Sequence, residues 1–362
     1  MSKRTIILAA GGTGGHVFPA QALAETLVSR GWRVFLVTDH RGNSFSNKFP
    51  EKVQKLVLDI TNPHGGGKLS FILSWWLLIR SVFIIFKFCL KVKANAIVGF
   101  GGYPSATTMA VAYILRIPSA IHEQNAVLGR VNKVFQNRVD LLVFGMNPTF
   151  PQHRKSTTRV FGNPIRQSVM KINPTQYSSL PSGSFLILVI GGSQGANFIS
   201  SIACNAILNL PKKLRSKVTV WHQCRNEYII DIKRKYDSFK IESETKSFFS
   251  DISLCLNKAN LIIGRSGASS VAELCIFGRP SILIPLPSAV GNHQALNAEV
   301  MEKSGASIVL DQNSVTSDEL SKNISFVLDS FEVANSMALS AQKLSKPNAA
   351  LDFAVELENL VF

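Results

Sequence analysis

The sequence predicts two doubly wound α/β domains that face each other across a cleft, and three observations carry that prediction. The length of 362 residues exceeds one ordinary core and suits two domains of about 150–180 residues each. An apolar run at 6–10 stops at a glycine cluster, 11–15, and a helical pattern follows. The same order recurs half a chain later, where the apolar run 185–190 precedes the glycine-rich stretch 191–196. Such strand–loop–helix starts bring backbone N–H groups against phosphates.

The composition indicates a folded protein with an anionic partner. Hydrophobic residues make up 46% of the chain and charged residues 17%, as in proteins with a large buried core. The net charge of +16 favours nucleic acid, acidic lipid or a phosphorylated substrate. Long runs of Lys and Arg are absent, so nucleic acid is not the expected partner. Five scattered cysteines without a CxxC pair indicate reduced thiols in the cytoplasm. The first apolar run is too short for a signal peptide.

Residues 1–164 are predicted to form the N-terminal domain. Thr5–Ala10 has the continuous apolar character of a buried parallel strand, and the helix after it ends at Gly31. Trp32–Val37 is a second strand, which completes a βαβ unit. The turn at 161–166 marks the domain boundary, because it combines glycine with a rigid proline exit.

The first glycine loop fits neither familiar nucleotide fingerprint. Val17 stands where a dinucleotide-binding GxGxxG motif starting at Gly12 needs its last glycine, and no GK[ST] follows as in a Walker A loop. Four of the five residues 11–15 are nevertheless glycine, and a bare turn needs only one or two. We therefore expect this loop to contact a phosphate.

Two further stretches of the N-terminal half carry polar or glycine-rich signals at strand ends. A third glycine loop, 99–105, follows the short strand Ala96–Val98. The strand Pro118–Ile121 is expected to end in His122-Glu123-Gln124-Asn125. Ligands of open α/β sheets bind at the carboxyl ends of the strands, so these residues are candidates for a site.

The segment Ser70–Leu90 is apolar and long enough to resemble a transmembrane helix. A span is rejected, because a central Arg80 would cost about 2.5–3.5 kcal/mol in a bilayer and the span would separate the two ends of one domain. On a helical wheel the polar residues fall on one arc: Ser70, Ser74, Arg80, Ser81, Lys87 and Lys91. We expect a helix on an anionic membrane surface, with a buried helix or a partner interface as alternatives. The expected membrane contacts are Trp75, Trp76, Ile79, Phe83 and Phe86.

Residues 165–345 are predicted to repeat the plan. Leu261–Gly264 is a strand, Ser266 is the expected N-cap, and the helix Ala268–Phe277 ends at Gly278 before a proline. A terminal amphipathic helix lies between Leu351 and Val361.

The chemistry expected of these residues is that of phosphate and sugar binding. A carboxylate at Glu273, two turns into its helix, can hold a ribose diol while the helix start holds a pyrophosphate. Arg265 or Arg166 can neutralise diphosphate oxygens. The sequence contains no DxD pair and no ligand spacing typical of a metal site, so no metal cofactor is expected.

Four side chains are candidates for a general base: His16, Glu123, His122 and His293. His16 lies at the start of a helix, where the dipole favours the neutral, basic imidazole. Glu123 is nearly as suitable chemically, and the residues alone leave the choice between the two open.

An ordered set of motifs resembles the MurG family of bacterial transferases, over essentially the whole chain. The resemblance implies a GT-B fold with two Rossmann-like domains and an inverting transfer of N-acetylglucosamine from UDP-N-acetylglucosamine to the muramoyl 4-hydroxyl of lipid I, which forms lipid II in peptidoglycan synthesis. The motifs are Gly11–His16 with Val17–Pro19, Gly101–Tyr103, His122–Asn125, Gly162–Pro164 with Arg166, Gly191–Ala196 and Arg265–Ala268.

The resemblance also implies roles for individual residues and a location in the cell. UDP-N-acetylglucosamine would be held by the C-terminal domain, with Phe248 and Phe249 passing the uracil, and residues 346–362 would pack back on the N-terminal domain. The enzyme would be peripheral on the cytoplasmic face of the inner membrane, with cell-wall synthesis and division proteins as further partners. The implied sugar-donor contacts are Ser193, Phe249, Ala268, Ser269, Ser270, Val271, Ala272, Glu273, His293 and Gln294 of the second domain, with Thr13, Gly14, Gly15, Asn125 and Arg166 closing on the donor from the other side.

Other functions remain open at this stage. A UDP-N-acetylglucosamine epimerase uses twin α/β domains but does not need the broad apolar helix. Another UDP-sugar-dependent transferase of the same fold is equally compatible with the paired loops. A nicotinamide oxidoreductase is disfavoured by the missing fingerprint glycines, and a non-catalytic membrane-binding protein would not need two phosphate loops with Arg166 and Glu273.

Overall fold

The computed structural model describes residues 4–60, 68–148, 156–178, 183–191 and 197–361, and for 68–72 the backbone only. The chain divides into two compact units. Unit 1 comprises residues 1–167 and 347–362, and unit 2 comprises residues 168–346.

Unit 1 is built on a seven-stranded sheet in the order β3-β2-β1-β4-β5-β6-β7, with every described pairing parallel. Its elements up to residue 160 are β1 (Thr5–Ala9), α1 (Gly14–Ser29), β2 (Arg33–Asp39), α2 (His40–Asn43), β3 (Gln54–Leu58), α3 (Lys68–Val92), β4 (Ala96–Gly99), α4 (Tyr103–Leu115), β5 (Ser119–Glu123), α5 (Arg130–Phe135), β6 (Leu141–Phe144) and β7 (Thr157–Val160).

The central strand β1 is buried on both faces, as its unbroken apolar run predicts. Ile6 and Leu8 face a core that includes side chains of α1 and of the C-terminal helix. Ile7 and Ala9 face the opposite core, which includes residues of α3 and α4. This alternation follows from the two-residue period of a strand, and it places helices on both sides of the sheet.

Unit 2 repeats this architecture with six parallel strands in the order β10-β9-β8-β11-β12-β13. The predicted strands Phe185–Ile190 and Leu261–Gly264 and the helix Ala268–Phe277 are confirmed. The elements after residue 160 are α6 (Gln167–Met170), β8 (Phe185–Ile190), α7 (Asn197–Leu208), α8 (Lys212–Arg215), β9 (Val218–Gln223), α9 (Ile229–Ser238), β10 (Glu242–Lys246), α10 (Ile252–Lys258), β11 (Leu261–Gly264), α11 (Ala268–Phe277), β12 (Ser281–Leu283), α12 (His293–Lys303), β13 (Ser307–Val309), α13 (Ser317–Leu328), α14 (Phe331–Lys343) and α15 (Ala349–Val361).

Helix α15 belongs to unit 1, although it follows unit 2 in the sequence. Phe353 and Leu357 are fully buried in the core on the α1 side of the sheet. Glu358 accepts two hydrogen bonds from the Arg30 guanidinium, at 2.9 and 2.6 Å, and one from Trp32 Nε1 at 3.3 Å. A buried apolar face and an ion pair at the end of α1 thus hold α15 on the sheet.

Helix α3 buries one narrow stripe and leaves its broad apolar face exposed. The stripe contains Ser74, Ser81, Ile85, Cys89 and Val92, each at most 8% exposed. Arg80, Lys87 and Lys91, which share the predicted polar arc, are exposed, so the arc does not describe the burial of the two serines. Their small side chains let the helix approach the protein, and Ser81 Oγ donates to the Leu77 carbonyl at 2.7 Å, which satisfies it without solvent.

The outward face of α3 is apolar with a basic edge. Its large side chains are between 50% and 64% exposed: Leu73, Trp75, Trp76, Ile79, Phe83 and Leu90. Within the described residues, Leu73–Val92 is the one helix long and apolar enough to cross a membrane, and 22% of that window is buried. The helix connects β3 to β4 of a single sheet, and one stripe of it packs on that sheet.

Candidate active site

The first glycine loop is held in one conformation by neighbouring strands and helices. Asp39, at the end of β2, accepts hydrogen bonds from the N–H of Gly12 at 3.0 Å and of Gly42 at 2.6 Å. A Cβ on Gly11 would lie 2.5 Å from Cγ of Pro104, so only glycine allows this approach of α4. These contacts therefore preorganise the loop without a ligand.

The loop opens helix α1 with unused donors. The N–H of Thr13 is bonded to the Gly11 carbonyl, and the N–H of His16 to the Thr13 carbonyl. In the part of the chain that the structure describes, the N–H groups of Gly14 and Gly15 have no acceptor, and the Thr13 side chain makes no capping hydrogen bond. Three of the predicted contact residues thus form a helix start of the kind that suits an anion.

His16 lies half-buried in the first turn of α1, with its ring held on two sides. Its Nδ1 is 2.9 Å from Oε1 of Gln124. A Cβ on Gly101 would lie 2.7 Å from Cε1 of His16, and Gly101 has φ +108°, which favours glycine. The third glycine loop therefore provides a flat backbone surface against the imidazole.

Gln124 connects His16 to a buried second histidine. Its Nε2 is 3.0 Å from Nδ1 of His122 and 2.9 Å from the His122 carbonyl oxygen. Nε2 of His122 is 3.1 Å from the Gly162 carbonyl oxygen. The His122 ring lies between Phe100 and Phe353, with centroids at 5.6 and 5.7 Å. Burial lowers the pKa of His122 to about 4 from its usual 6.5, so this ring is neutral at pH 7.

Glu123 has the opposite character, although sequence reasoning ranks it beside His16. It ends strand β5 and is 1% exposed. Oε1 accepts from the backbone and side-chain nitrogens of Asn125, both at 3.1 Å, and Oε2 accepts from Gly129 N and Asn132 Nδ2, both at 2.8 Å. Four donors converge on a buried carboxylate, so it organises the following loop and does not suit a general base. Asn125 is held through the same contacts.

Arg166, which the sequence predicts to neutralise diphosphate oxygens, lies beside the first glycine loop. Its guanidinium carbon is 4.3 Å from the centroid of the Phe18 ring, in cation–π geometry. A Cβ on Gly14 would lie 2.8 Å from the same ring. Phe18 thus connects the helix start of α1 to Arg166.

In unit 2, the start of α11 carries the predicted sugar-donor residues. The N-cap is Gly267, so the expected cap at Ser266 is wrong by one residue. Ser266 Oγ donates instead to the Gln294 carbonyl at 2.7 Å. Ser269 Oγ is buried and has no hydrogen-bond partner among the described residues, and in a helix start such a hydroxyl is suited to a ligand oxygen.

A small pocket of about 50 Å³ lies between α11 and the strand ends β8 and β11. Ser270 and Glu273 of α11 line it together with Ile190 and Gly264. The structure therefore brings the predicted ribose carboxylate and one predicted hydroxyl to the same pocket.

Arg265 and Gln294 serve loop structure in this unit. The Arg265 guanidinium donates to the carbonyls of Ile284 at 2.8 Å and Pro285 at 3.1 Å, and to Gln312 Oε1 at 2.6 Å. Burial lowers its pKa. Gln294 Oε1 accepts from Leu286 N at 3.0 Å. Both side chains hold the loop after β12.

The other predicted residues of unit 2 divide between surface, core and undescribed positions. His293 begins α12, and its Nδ1 is 2.8 Å from the Val290 carbonyl. Phe249 is 7% exposed and stacks on Trp221 at 6.2 Å, whereas Phe248 is 65% exposed, so the Phe248 side chain is the accessible one. Val271 is buried and Ala272 half-buried in α11. Ser193 lies outside the described residues.

Three residues that build the site receive no role from the sequence: Asp39 is not singled out, and Gly101 and Gln124 are placed only within candidate stretches. Gln124 lies inside the polar HEQN stretch, so its position is visible, but its partner His16 lies 108 residues away in the sequence, in the first turn of α1. The described residues contain no group of three or more His, Cys, Asp or Glu that could hold a metal ion.

Comparison with known proteins follows this division into two units. Residues 6–142 match the glycosyltransferase family 28 N-terminal domain, and residues 186–353 match the family 28 C-terminal domain. The chain is 38% identical over 360 residues to the UDP-N-acetylglucosamine–N-acetylmuramyl-(pentapeptide) pyrophosphoryl-undecaprenol N-acetylglucosamine transferase of Caulobacter vibrioides, with 98% of each chain covered. It is 38% identical over 355 residues to the enzyme of the same name from Agrobacterium fabrum, covering 97% of this chain and 93% of that one.

Solved structures show the same fold. The crystal structure of Acinetobacter baumannii MurG matches with a TM-score of 0.78 and 26% identity, over 99% of this chain and 100% of that chain. A UDP-N-acetylglucosamine 2-epimerase described as putative, from Listeria monocytogenes, matches with a TM-score of 0.68 over 99% of this chain and 97% of that chain. Its 14% identity supports a shared fold alone.

Proposed function

The chain belongs to glycosyltransferase family 28 and, within it, to the MurG family, and we propose that it transfers N-acetylglucosamine from UDP-N-acetylglucosamine to lipid I, producing lipid II. Lipid I is undecaprenyl-pyrophosphoryl-N-acetylmuramoyl-pentapeptide, and the product carries a β-1,4 link. The observation that carries this proposal is the 38% identity that extends over 98% of both chains. The GT-B fold, with one parallel sheet in each unit, agrees with it.

In the proposed reaction, unit 1 supplies the base. His16 takes the proton from the muramoyl 4-hydroxyl while that oxygen forms a bond to C1 of N-acetylglucosamine. The bond between C1 and the diphosphate oxygen breaks on the opposite face, which inverts the anomeric centre and releases UDP. Glu123 supports the loop through its four hydrogen bonds and takes no proton.

Unit 2 supplies the nucleotide contacts in this proposal. The N-terminal end of α11, with the unpaired Ser269 hydroxyl, carries partial positive charge that suits the UDP diphosphate. Glu273, in the pocket at the end of β11, accepts hydrogen bonds from the ribose hydroxyls. The second helix start, at Gly14 and Gly15 in unit 1, suits the pyrophosphate of the lipid.

The proposed transfer needs no divalent cation. Helix dipoles and backbone N–H groups take the place of a metal in stabilising the leaving diphosphate, and the sequence lacks the DxD pair that would hold one. The corresponding test is to compare initial rates with and without EDTA. Equal rates are expected, and a loss that Mg²⁺ restores would refute this part of the proposal.

We further propose that α3 places unit 1 on the cytoplasmic surface of the inner membrane. Its exposed apolar face is bordered by Arg80, Lys87 and Lys91, which are exposed and would meet anionic headgroups. Arg80 also lies 5.8 Å from the Trp76 ring, so cation and aromatic side chain occupy the same edge. An acceptor with an undecaprenyl chain is membrane-bound, so the base and its substrate would share one surface.

The transfer itself is tested with radiolabelled UDP-N-acetylglucosamine and a lipid I analogue. We expect label in the lipid product and stoichiometric release of UDP. Recovery of the sugar donor unchanged, or as its 2-epimer, would refute the transferase and in the second case support an epimerase.

Membrane binding is tested with phosphatidylglycerol vesicles and the double variant Trp76→Asp, Phe83→Asp. These side chains are 57% and 64% exposed, so folding does not depend on burying them. Burying these two aromatic side chains in the bilayer would contribute about 3–6 kcal/mol to binding, so the vesicle affinity of the double variant should fall more than about 100-fold. Phe326→Asp, at an equally exposed site on α13, is the matched control and should bind as the unmodified protein does. Equal binding by the double variant would remove α3 from the membrane contact.

A further inference from the structure

Three hydrogen bonds join the proposed base to a backbone carbonyl through two side chains. His16 Nδ1 lies 2.9 Å from Gln124 Oε1, and Gln124 Nε2 lies 3.0 Å from His122 Nδ1. His122 Nε2 lies 3.1 Å from the Gly162 carbonyl oxygen. Because a carbonyl oxygen only accepts, the proton positions along this chain can be deduced from its far end.

The orientation of the Gln124 amide follows from two independent contacts. Its Nε2 approaches the His122 carbonyl oxygen at 2.9 Å, and a carbonyl oxygen requires a donor there. His122 must carry its proton on Nε2 to donate to Gly162, so its Nδ1 is the acceptor for the second amide hydrogen. Both contacts place the amide NH₂ toward His122, and the carbonyl Oε1 toward His16.

The amide oxygen therefore requires a donor from His16. A neutral imidazole carries one proton, and with that proton on Nδ1 the lone pair is on Nε2. We propose that Gln124 is a positioning residue that holds neutral His16 in its Nδ1–H tautomer, so that Nε2 is the atom that removes the acceptor proton. This inference rests on the transferase reaction proposed above and identifies the basic atom and the residue that selects it.

The residues around these hydrogen bonds keep the donors and acceptors from exchanging roles. His122 is fully buried between two aromatic rings and stays neutral, so it cannot protonate and turn Gln124 around. The Gln124 backbone is also anchored, because Asn163 Nδ2 donates to its carbonyl at 3.0 Å. Gly101 packs flat against the His16 ring, which limits rotation of the imidazole.

The arrangement also determines where the proton goes. When Nε2 accepts the proton of the sugar hydroxyl, the resulting imidazolium still donates from Nδ1 to Gln124 Oε1. An amide has no proton to pass onward at this point, so the charge stays on His16 until Nε2 releases the proton to solvent. Gln124 thus orients and stabilises the base without relaying a proton.

The direct test is nitrogen NMR of the protein labelled with ¹⁵N-histidine, at about pH 8. The His16 signals are assigned by their loss in His16→Gln. We expect a pyrrole-type shift at Nδ1 and a pyridine-type shift at Nε2. The reverse assignment in the unmodified protein would overturn the inference, whatever the enzyme's activity.

The kinetic test uses Gln124→Met, which keeps the side-chain length and removes all three hydrogen bonds of the amide. We expect kcat to fall about 10- to 100-fold, as for other residues that orient a catalytic histidine, with KM for UDP-N-acetylglucosamine within about twofold. The NMR signals of His16 should shift toward the Nε2–H tautomer. Gln136→Met, at a half-buried glutamine after α5, is the matched control and should leave kcat and the His16 signals unchanged. An unchanged kcat in Gln124→Met would refute the positioning role, and absence of turnover in the unmodified protein would refute the transferase instead.

Discussion

The candidate site residues of the two units differ in how their polar groups are satisfied. In unit 1, Gln124 forms hydrogen bonds with both His16 and His122, and the Glu123 carboxylate accepts four hydrogen bonds. In unit 2, the start of α11 carries the buried Ser269 hydroxyl, for which the part of the chain that the structure describes offers no partner. A group that must act as a base needs a defined proton position before the substrate binds. Groups that bind a phosphate are better left unpaired, because a ligand then satisfies them.

This difference predicts that substitutions in unit 1 act on turnover and those in unit 2 on sugar-donor binding. His16→Ala should give the largest effect, a loss of kcat of about 10²–10⁴-fold, because general base catalysis contributes that much. KM for UDP-N-acetylglucosamine should stay within about threefold. Steady-state kinetics with a lipid I analogue measure both, with His40→Ala, a 74% exposed histidine side chain, as the control. Full activity of His16→Ala would refute the assignment of turnover to the unit 1 residues.

Glu273→Ala should show the reverse pattern. Losing hydrogen bonds between a carboxylate and the ribose costs about 1.5–3 kcal/mol, so KM for the sugar donor should rise about 10- to 100-fold while kcat changes little. Glu302→Ala, at an exposed position on the last turn of α12, is the control. A fall in kcat at constant KM would place Glu273 among the catalytic groups and erase the proposed division.

Acid should destabilise both units through one buried histidine in each. Burial lowers the pKa of His122 to about 4 and that of His222 to about 3, from 6.5 in the unfolded chain. Between pH 6.5 and those values the unfolded state binds more protons, so the free energy of unfolding falls as pH falls, by about 2 kcal/mol per histidine at pH 5. Calorimetry at pH 7.5 and 5 measures this loss.

The variant His222→Phe isolates the contribution of unit 2. Phenylalanine keeps the ring beside Tyr236, whose centroid lies 5.9 Å away, and cannot titrate. The variant should lose about 2 kcal/mol less than the unmodified protein on going from pH 7.5 to 5. Identical acid sensitivity of the two proteins would show that His222 is not the titrating group.

Ser269→Ala should give the smallest effect. A hydrogen bond to the charged diphosphate is worth about 1.5 kcal/mol or more, so KM should rise about 10-fold. Tm of the free protein should stay equal or rise, since the hydroxyl has no partner to lose among the described residues and alanine favours a helix. Ser336→Ala, exposed on α14, controls for helix propensity. A lower Tm with an unchanged KM would mean that the hydroxyl serves the fold.

The fold and the position of the site could be read from local patterns, whereas the chemistry of single side chains could not. Apolar runs that stop at glycine clusters specify strand–loop–helix starts, and β8, β11 and α11 appear as predicted. The residues alone could not choose between His16 and Glu123 as the base, because that choice depends on which way Glu123 and its neighbour Gln124 point. One turns toward the donors of Asn125, Gly129 and Asn132, and the other toward His16.

The same limit explains the two serines of α3. A helical wheel ranks side chains by polarity, but the surface that a helix buries is chosen by size and by internal hydrogen bonding. Ser81 satisfies its hydroxyl on the Leu77 carbonyl, so its burial costs little and brings the helix closer to the protein. The large apolar residues are left outside, which no wheel drawn without the neighbouring elements could reveal.

The aromatic ring stacked on His122 comes from Phe353, in a helix that the chain reaches only after all of unit 2. During synthesis on the ribosome, more than half of the polypeptide is therefore made after residues 1–167 before Phe353 can form one wall of the His122 pocket. A nascent chain halted before α15 would carry His16 and Gln124 but leave His122 open to water and to protonation. Synthesis of α15, and not only of residues 1–167, is thus needed to complete the surroundings of the proposed base.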